Sequence, residues 1–131
     1  MQELFKKVGE FNKAMSISEN KSFSALPSPA ESQLSYNLLL EEVHEYGLAM
    51  RDYNQTEVAD GLTDILYLVI GAFRRHGISH VQAFELFNEV HASNMSKVTL
   101  EGKVIKRADG KVLKPETYFK PDLKNIIETW E

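Results

Sequence analysis

Residues 40–67, LEEVHEYGLAMRDYNQTEVADGLTDILY, read as the end of one helix, a tight turn and the start of another. Neighbours on one helix face stand three or four positions apart. Glu42 and Glu45 obey that spacing, as do Glu41 and Glu45, and across the turn Glu57, Asp60 and Asp64 run three then four. Asp52-Tyr53-Asn54-Gln55-Thr56 is the turn, with Thr56 as the expected N-cap of the following helix. So short a connection makes the two helices antiparallel neighbours. Glu45 then lies level with Asp64, Asp60 about one turn nearer the loop and Glu41 and Glu42 one turn further from it. Both acidic clusters converge on one interhelical pocket.

Working outward, residues 2–16 form an amphipathic helix, with Leu4, Val8, Phe11 and Met15 on one side. A loop over 18–30 follows, marked by Ser24, Pro27, Ser28 and Pro29. The next helix spans about 31–52, its apolar face Leu34, Leu38 and Leu39; the third spans about 57–75, with Leu62, Ile65, Leu66, Val69 and Phe73 inward and Gly77 just past its end. Ser79 precedes a fourth, about 80–96, carrying Val81, Phe84, Phe87 and Val90. Beyond it the period changes. Val98–Leu100, Val104–Lys106 and Lys111–Leu113 are strand-like runs separated by Glu101-Gly102 and Asp109-Gly110, and Asp-Gly between such runs signals a hairpin. A short last helix is expected over 122–130. The expected fold is all-α: an antiparallel four-helix bundle core, about 1–97, with a short C-terminal β-hairpin and extended tail, about 98–131, in one domain.

The chain has 131 residues, enough for one core, and no cysteine, which excludes disulfides, thiolate catalysis and zinc–thiolate sites. No run is long and apolar enough to span a bilayer and no secretory signal opens the chain, so the expectation is a cytoplasmic protein without membrane association. Residues 1–95 hold 7 Lys/Arg against 13 Asp/Glu, and residues 96–124 hold 8 against 4. An acidic helical body thus carries a basic tail, suited to metal and phosphate respectively. No basic stripe or recognition helix marks a duplex-binding protein.

A lone Glu-Glu-x-x-Glu is more often a solvated helix face than a site. Here, however, Asp60 and Asp64 sit amid apolar residues, although aspartate is a poor mid-helix residue. Propensity violated in an expected core is a mark of functional sites. Gathered carboxylates repel unless a cation neutralises them, and their hard oxygens suit Mg²⁺, or Mn²⁺. A di-iron bundle would need two Glu-x-x-His motifs, and only Glu41-x-x-His44 occurs. His76, His80 and His91 show no metal-ligand spacing, and neither a Gly-x-Ser-x-Gly elbow nor a P-loop is present.

Leu40-Glu41-Glu42-Val43-His44-Glu45, followed by Val58 to Tyr67, resembles the MazG-type all-α nucleotide pyrophosphohydrolases. Asn94-Met95-Ser96-Lys97 and Asp109 to Lys114 resemble the phosphoribosyl-ATP pyrophosphohydrolase-like branch. The resemblance implies Mg²⁺-dependent cleavage of a nucleoside triphosphate between its α and β phosphates, and assembly into a homodimer or homotetramer. It implies Glu42, Glu45, Asp60 and Asp64 as metal ligands, with Glu41 handling the attacking water. Lys97, Lys111 and Lys114 would meet phosphate charge and Asn94 would hydrogen-bond the substrate. One departure stands out: the family's second pair is Glu-x-x-Asp, yet three before Asp64 stands Gly61. Either Asp60 substitutes on the same face, or Glu57-x-x-Asp60 is the pair and Asp64 an additional ligand. A phosphoribosyl-ATP- or dUTP-specific hydrolase and a non-enzymatic helical interaction module are the alternatives. Preferred base or sugar, the number of metal ions and the oligomer order do not follow from the residues.

Overall fold

The computed structural model describes residues 1–23 and 26–130, so Ser24 of the expected loop, Ala25 and Glu131 lie outside the described residues. Five helices follow in order: α1 (Gln2–Ala14), α2 (Pro29–Arg51), α3 (Gln55–Arg75), α4 (His80–Met95) and α5 (Leu123–Glu128). The chain is mostly helical and all-α. Among the described residues no helix is long and apolar enough to cross a membrane.

The helix ends follow from local chemistry. Ser28 and Glu31 form a reciprocal capping box at the start of α2, with Pro29 in the first turn. Asn54, rather than the expected Thr56, caps α3: its side chain accepts from the Glu57 amide at 3.2 Å. Asparagine and threonine are both cap-competent, and the turn leaves only Asn54 outside the helix. Gly77, at φ +73°, ends α3 in a Schellman arrangement, with its amide donating to Arg74 O (3.0 Å) and the Ile78 amide to Phe73 O (2.9 Å). A Cβ at Gly77 would lie 2.4 Å from the Ser22 carbonyl, so no other residue fits there without a shift.

Two compact units divide the chain, Met1–His80 and Val81–Glu131. In the first, α3 packs against both α2 and α1. Its core gathers Phe5, Val8, Ala49, Ile70 and Ile78. Arg74 ties α1 and the loop after it to α3, donating to Phe5 O (3.1 Å) and pairing with Glu19. Three of the helices expected in the core pack in the first unit, and α4 belongs mainly to the second. The apolar faces read as inward are correspondingly open. Leu62 and Leu66 of α3 are each 49% exposed, and Leu34, Leu38, Phe84, Phe87 and Val81 are exposed as well.

In the second unit the tail folds back on α4. Ser93 Oγ donates to Phe119 O (2.8 Å), Thr117 Oγ1 to Ser96 O (2.8 Å), and the Asp122 amide to Glu89 Oε1 (2.8 Å). Trp130 Nε1 donates to Glu85 Oε2 (3.0 Å). The expected hairpin shrinks to one antiparallel bridge, Lys106 to Val112, around Asp109-Gly110, and no strand forms among the described residues. Its turn chemistry is right, with Gly110 at φ +88°. Residues 100–111 are all exposed, however, and two short arms without an apolar face to bury do not sustain a ladder.

Candidate active site

The three-residue link between α2 and α3 sets their carboxylates side by side. Gly61 is buried where the helices touch: a Cβ built there would stand 3.2 Å from Tyr46 Cβ and 3.3 Å from its Cα. A side chain at position 61 would force Tyr46 to give by a few tenths of an ångström. That gives a physical reason for the departure from Glu-x-x-Asp, and it makes Gly61 a site-shaping residue that spacing alone passed over. Only its place in the middle of an otherwise strong helix marked it, since glycine there is unfavourable by itself.

Around this contact the carboxylates gather on Glu42. Its Oε2 is buried and, among the described residues, has no hydrogen-bond partner. Burial first, then the charges of Glu45, Asp64, Glu41 and Asp60, in that order, push its carboxyl above the ordinary range. Four of the carboxylates singled out from the sequence thus act on a fifth, Glu42. Glu41, Glu45 and Asp60 are exposed, while Glu42 and Asp64 are half-buried. Glu57 does not figure among the charges felt by Glu42. It lines, with Glu45, Asp52 and Asn54, a separate open recess of about 360 Å³ beside the turn.

As the side chains stand, no three His, Asp or Glu groups among the described residues converge closely enough to hold a metal ion. The donor chemistry nonetheless fits a hard divalent cation. All five groups offer oxygen, and a buried carboxylate oxygen without a donor is what a cation would complete. The exposed glutamates have the rotamer freedom to close on such an ion.

The four expected substrate-binding residues lie in the second unit. Lys97 Nζ donates to Asn94 Oδ1 at 2.9 Å, so these two form a pair at the end of α4. Lys114 Nζ sits 4.9 Å from the centre of the Tyr118 ring, a cation–π contact. Lys111 follows the bridge turn, its amide donating to Asp109 Oδ1 (3.1 Å) and its side chain exposed.

The chain has no match among curated proteins. The family model described as phosphoribosyl-ATP pyrophosphohydrolase matches residues 8–94, about two-thirds of the length and the whole of the α2–α3 carboxylate pair. The chain therefore belongs to the phosphoribosyl-ATP pyrophosphohydrolase family, in the MazG-like superfamily.

Proposed function

We propose that the protein is a Mg²⁺-dependent nucleoside triphosphate pyrophosphohydrolase that yields a nucleoside monophosphate and pyrophosphate. Membership in the family points to pyrophosphohydrolase activity on nucleotide-like substrates. The observation that carries the finer reading is Glu42, whose buried oxygen lacks a partner while four other carboxylates press on it. Glu42, Glu45, Asp60 and Asp64 would hold the metal, with Mn²⁺ as a substitute. A divalent ion supplies Lewis-acid polarisation of the phosphoryl oxygens and neutralises their charge.

This chain's own residues do the rest. Glu41 accepts the proton of a water whose oxygen forms the new bond to phosphorus; the bond to the bridging oxygen breaks and that oxygen leaves with the pyrophosphate. Aqueous glutamate is a weak base, so Glu41 contributes chiefly by holding the water in line. Lys97, Lys111 and Lys114 would neutralise phosphate charge, and Asn94 would donate to the substrate through Nδ2, which its contact with Lys97 leaves available. These four assignments require the second unit to serve the site of the first, in the same chain or in another copy.

The open apolar faces favour a homo-oligomer, a dimer or a tetramer. Pairing of two α2–α3 hairpins would bury Leu34, Leu62 and Leu66 in a four-helix interface. A cytoplasmic location goes with this reading, since nucleotides and Mg²⁺ meet there. Pyrophosphate release from a nucleotide panel, with Mg²⁺ and with EDTA, tests the activity. Glu45→Gln is expected to lower kcat/KM at least about a hundredfold, the scale set by the loss of a charge-stabilising group. Full activity in that variant, or activity in EDTA, would refute the assignment.

A further inference from the structure

Tyr36, Leu40, Val43, Gly47 and Met50 of α2 recur at intervals of four, three, four and three. That is the heptad spacing by which one helix presents a continuous seam to another. All five are exposed, Tyr36 by 58% and Leu40, Val43 and Met50 by 46–47%. Beside them α3 repeats the pattern with Val58, Leu62, Ile65 and Val69, at intervals of four, three and four. An apolar recess of about 440 Å³ joins the two rows at the turn, lined by Met50, Tyr53, Val58 and Leu62. It shares no residue with the acidic recess of Glu45 and Glu57. The hairpin thus has two faces. At about 100° per residue, Glu45 stands roughly 180° and Glu41 roughly 140° around α2 from the middle of its apolar row.

We infer that a second copy of this chain covers the seam, with the two α2 helices crossing at Gly47, so that the carboxylate sites lie back to back on the outside of the dimer and work independently. The inference rests on the homo-oligomer of the proposed function and adds its face, its crossing point and the relation of its sites. Gly47 is the first reason. Glycine weakens a helix interior, and a Cβ at position 47 would meet nothing within 4 Å among the described residues. Within one chain glycine has no packing task there, unlike Gly61. At a crossing it lets two backbones approach closely. Self-complementarity is the second reason. A two-fold axis at Gly47 sets Val43 of one copy near Met50 of the other, and no charge interrupts the row to repel its own image. Area is the third. The exposed side chains of this face, Tyr36 and the 92% exposed Tyr53 the largest, leave on the order of 800 Å² open, about what each partner gives to a standard interface.

The chain has no cysteine, so single cysteines report the face directly. A short bismaleimide is expected to join two copies of the Gly47→Cys variant and to leave Glu41→Cys uncoupled. In light scattering, Gly47→Leu should raise the dimer Kd about a hundredfold, the scale of overpacking at a close contact. Its helicity should match the wild type, since leucine is the better helix former and the space around position 47 is open. Val43→Lys should dissociate the dimer as well. Wild type exchanged with excess Glu45→Gln should keep its full rate per wild-type subunit, whereas shared sites lose rate as mixed dimers form. Cross-linking through position 41, a dimer that withstands Gly47→Leu and Val43→Lys, a monomer at every concentration, or loss of rate on mixing would each overturn the inference. Absence of all turnover with cross-linking through position 47 intact would instead refute the enzymatic reading and leave the dimer standing.

Discussion

At the scale of the residue, Glu42 and Glu31 pull pH dependence in opposite directions. Glu42 titrates above its ordinary range in the fold, so the folded state binds more protons than the unfolded one between 4.5 and that raised value. Stability from this group is present below 4.5 and lost as pH rises through the folded pKa. Glu31 is lowered to about 2 by hydrogen bonds from Ser18 and Ser28, so its contribution is present above 4.5 and lost as pH falls toward 2. Melting in EDTA across pH 2 to 8 should therefore show Glu42→Gln removing the decline on the alkaline side and Glu31→Gln removing part of the acid one. Saturating Mg²⁺, at about a hundred times its Kd, should add about 2.7 kcal/mol at neutral pH, and this gain should vanish in Glu42→Gln. Gly61 gives a second residue-scale test. Alanine gains roughly 0.5–1 kcal/mol in a helix interior, but here its methyl meets Tyr46 backbone atoms at 3.3 and 3.4 Å. Backbone does not yield as a side-chain end does, so Gly61→Ala should cost about 1–3 kcal/mol, read by urea unfolding.

At the scale of the element, helix boundaries were largely legible because their signals are local. The glycine after α3 satisfies groups within a few residues of itself, whereas Ser28 and Pro29, expected in the loop over 18–30, instead open α2 with a capping box. Ser28→Ala should lower stability by about 1 kcal/mol through loss of the capping hydrogen bond, measured as a fall in the urea midpoint at constant m. The hairpin failed as an element for a reason that a turn signal does not contain. Asp109-Gly110 turns the chain correctly, but the flanking residues pair only at Lys106 and Val112 and find no third partner. Turn chemistry reports the bend, whereas a ladder needs a surface to bury.

At the scale of the whole molecule, one chain leaves Leu34, Leu62, Leu66 and Phe87 in water, and α4 packs in a unit of its own. Scattered exposed leucines are ordinary, but these recur along the helices that carry the site. If α3 meets a second copy there, Leu66→Lys should drive the assembly to monomer in light scattering and make its Tm independent of concentration. On a monomer surface the same change would stay within about 0.5 kcal/mol. Helix type and the presence of a short turn between α2 and α3 were set by the sequence alone, because periodicity and chain connectivity act over a few positions. Tertiary structure decided that Glu42 carries a buried oxygen without a partner among the described residues, that Gly61 and not an acid sits at the helix contact, and that Leu62 and Leu66 stay uncovered. Each depends on which distant residue arrives opposite, and burial and unmet hydrogen bonds exist only once those partners are in place.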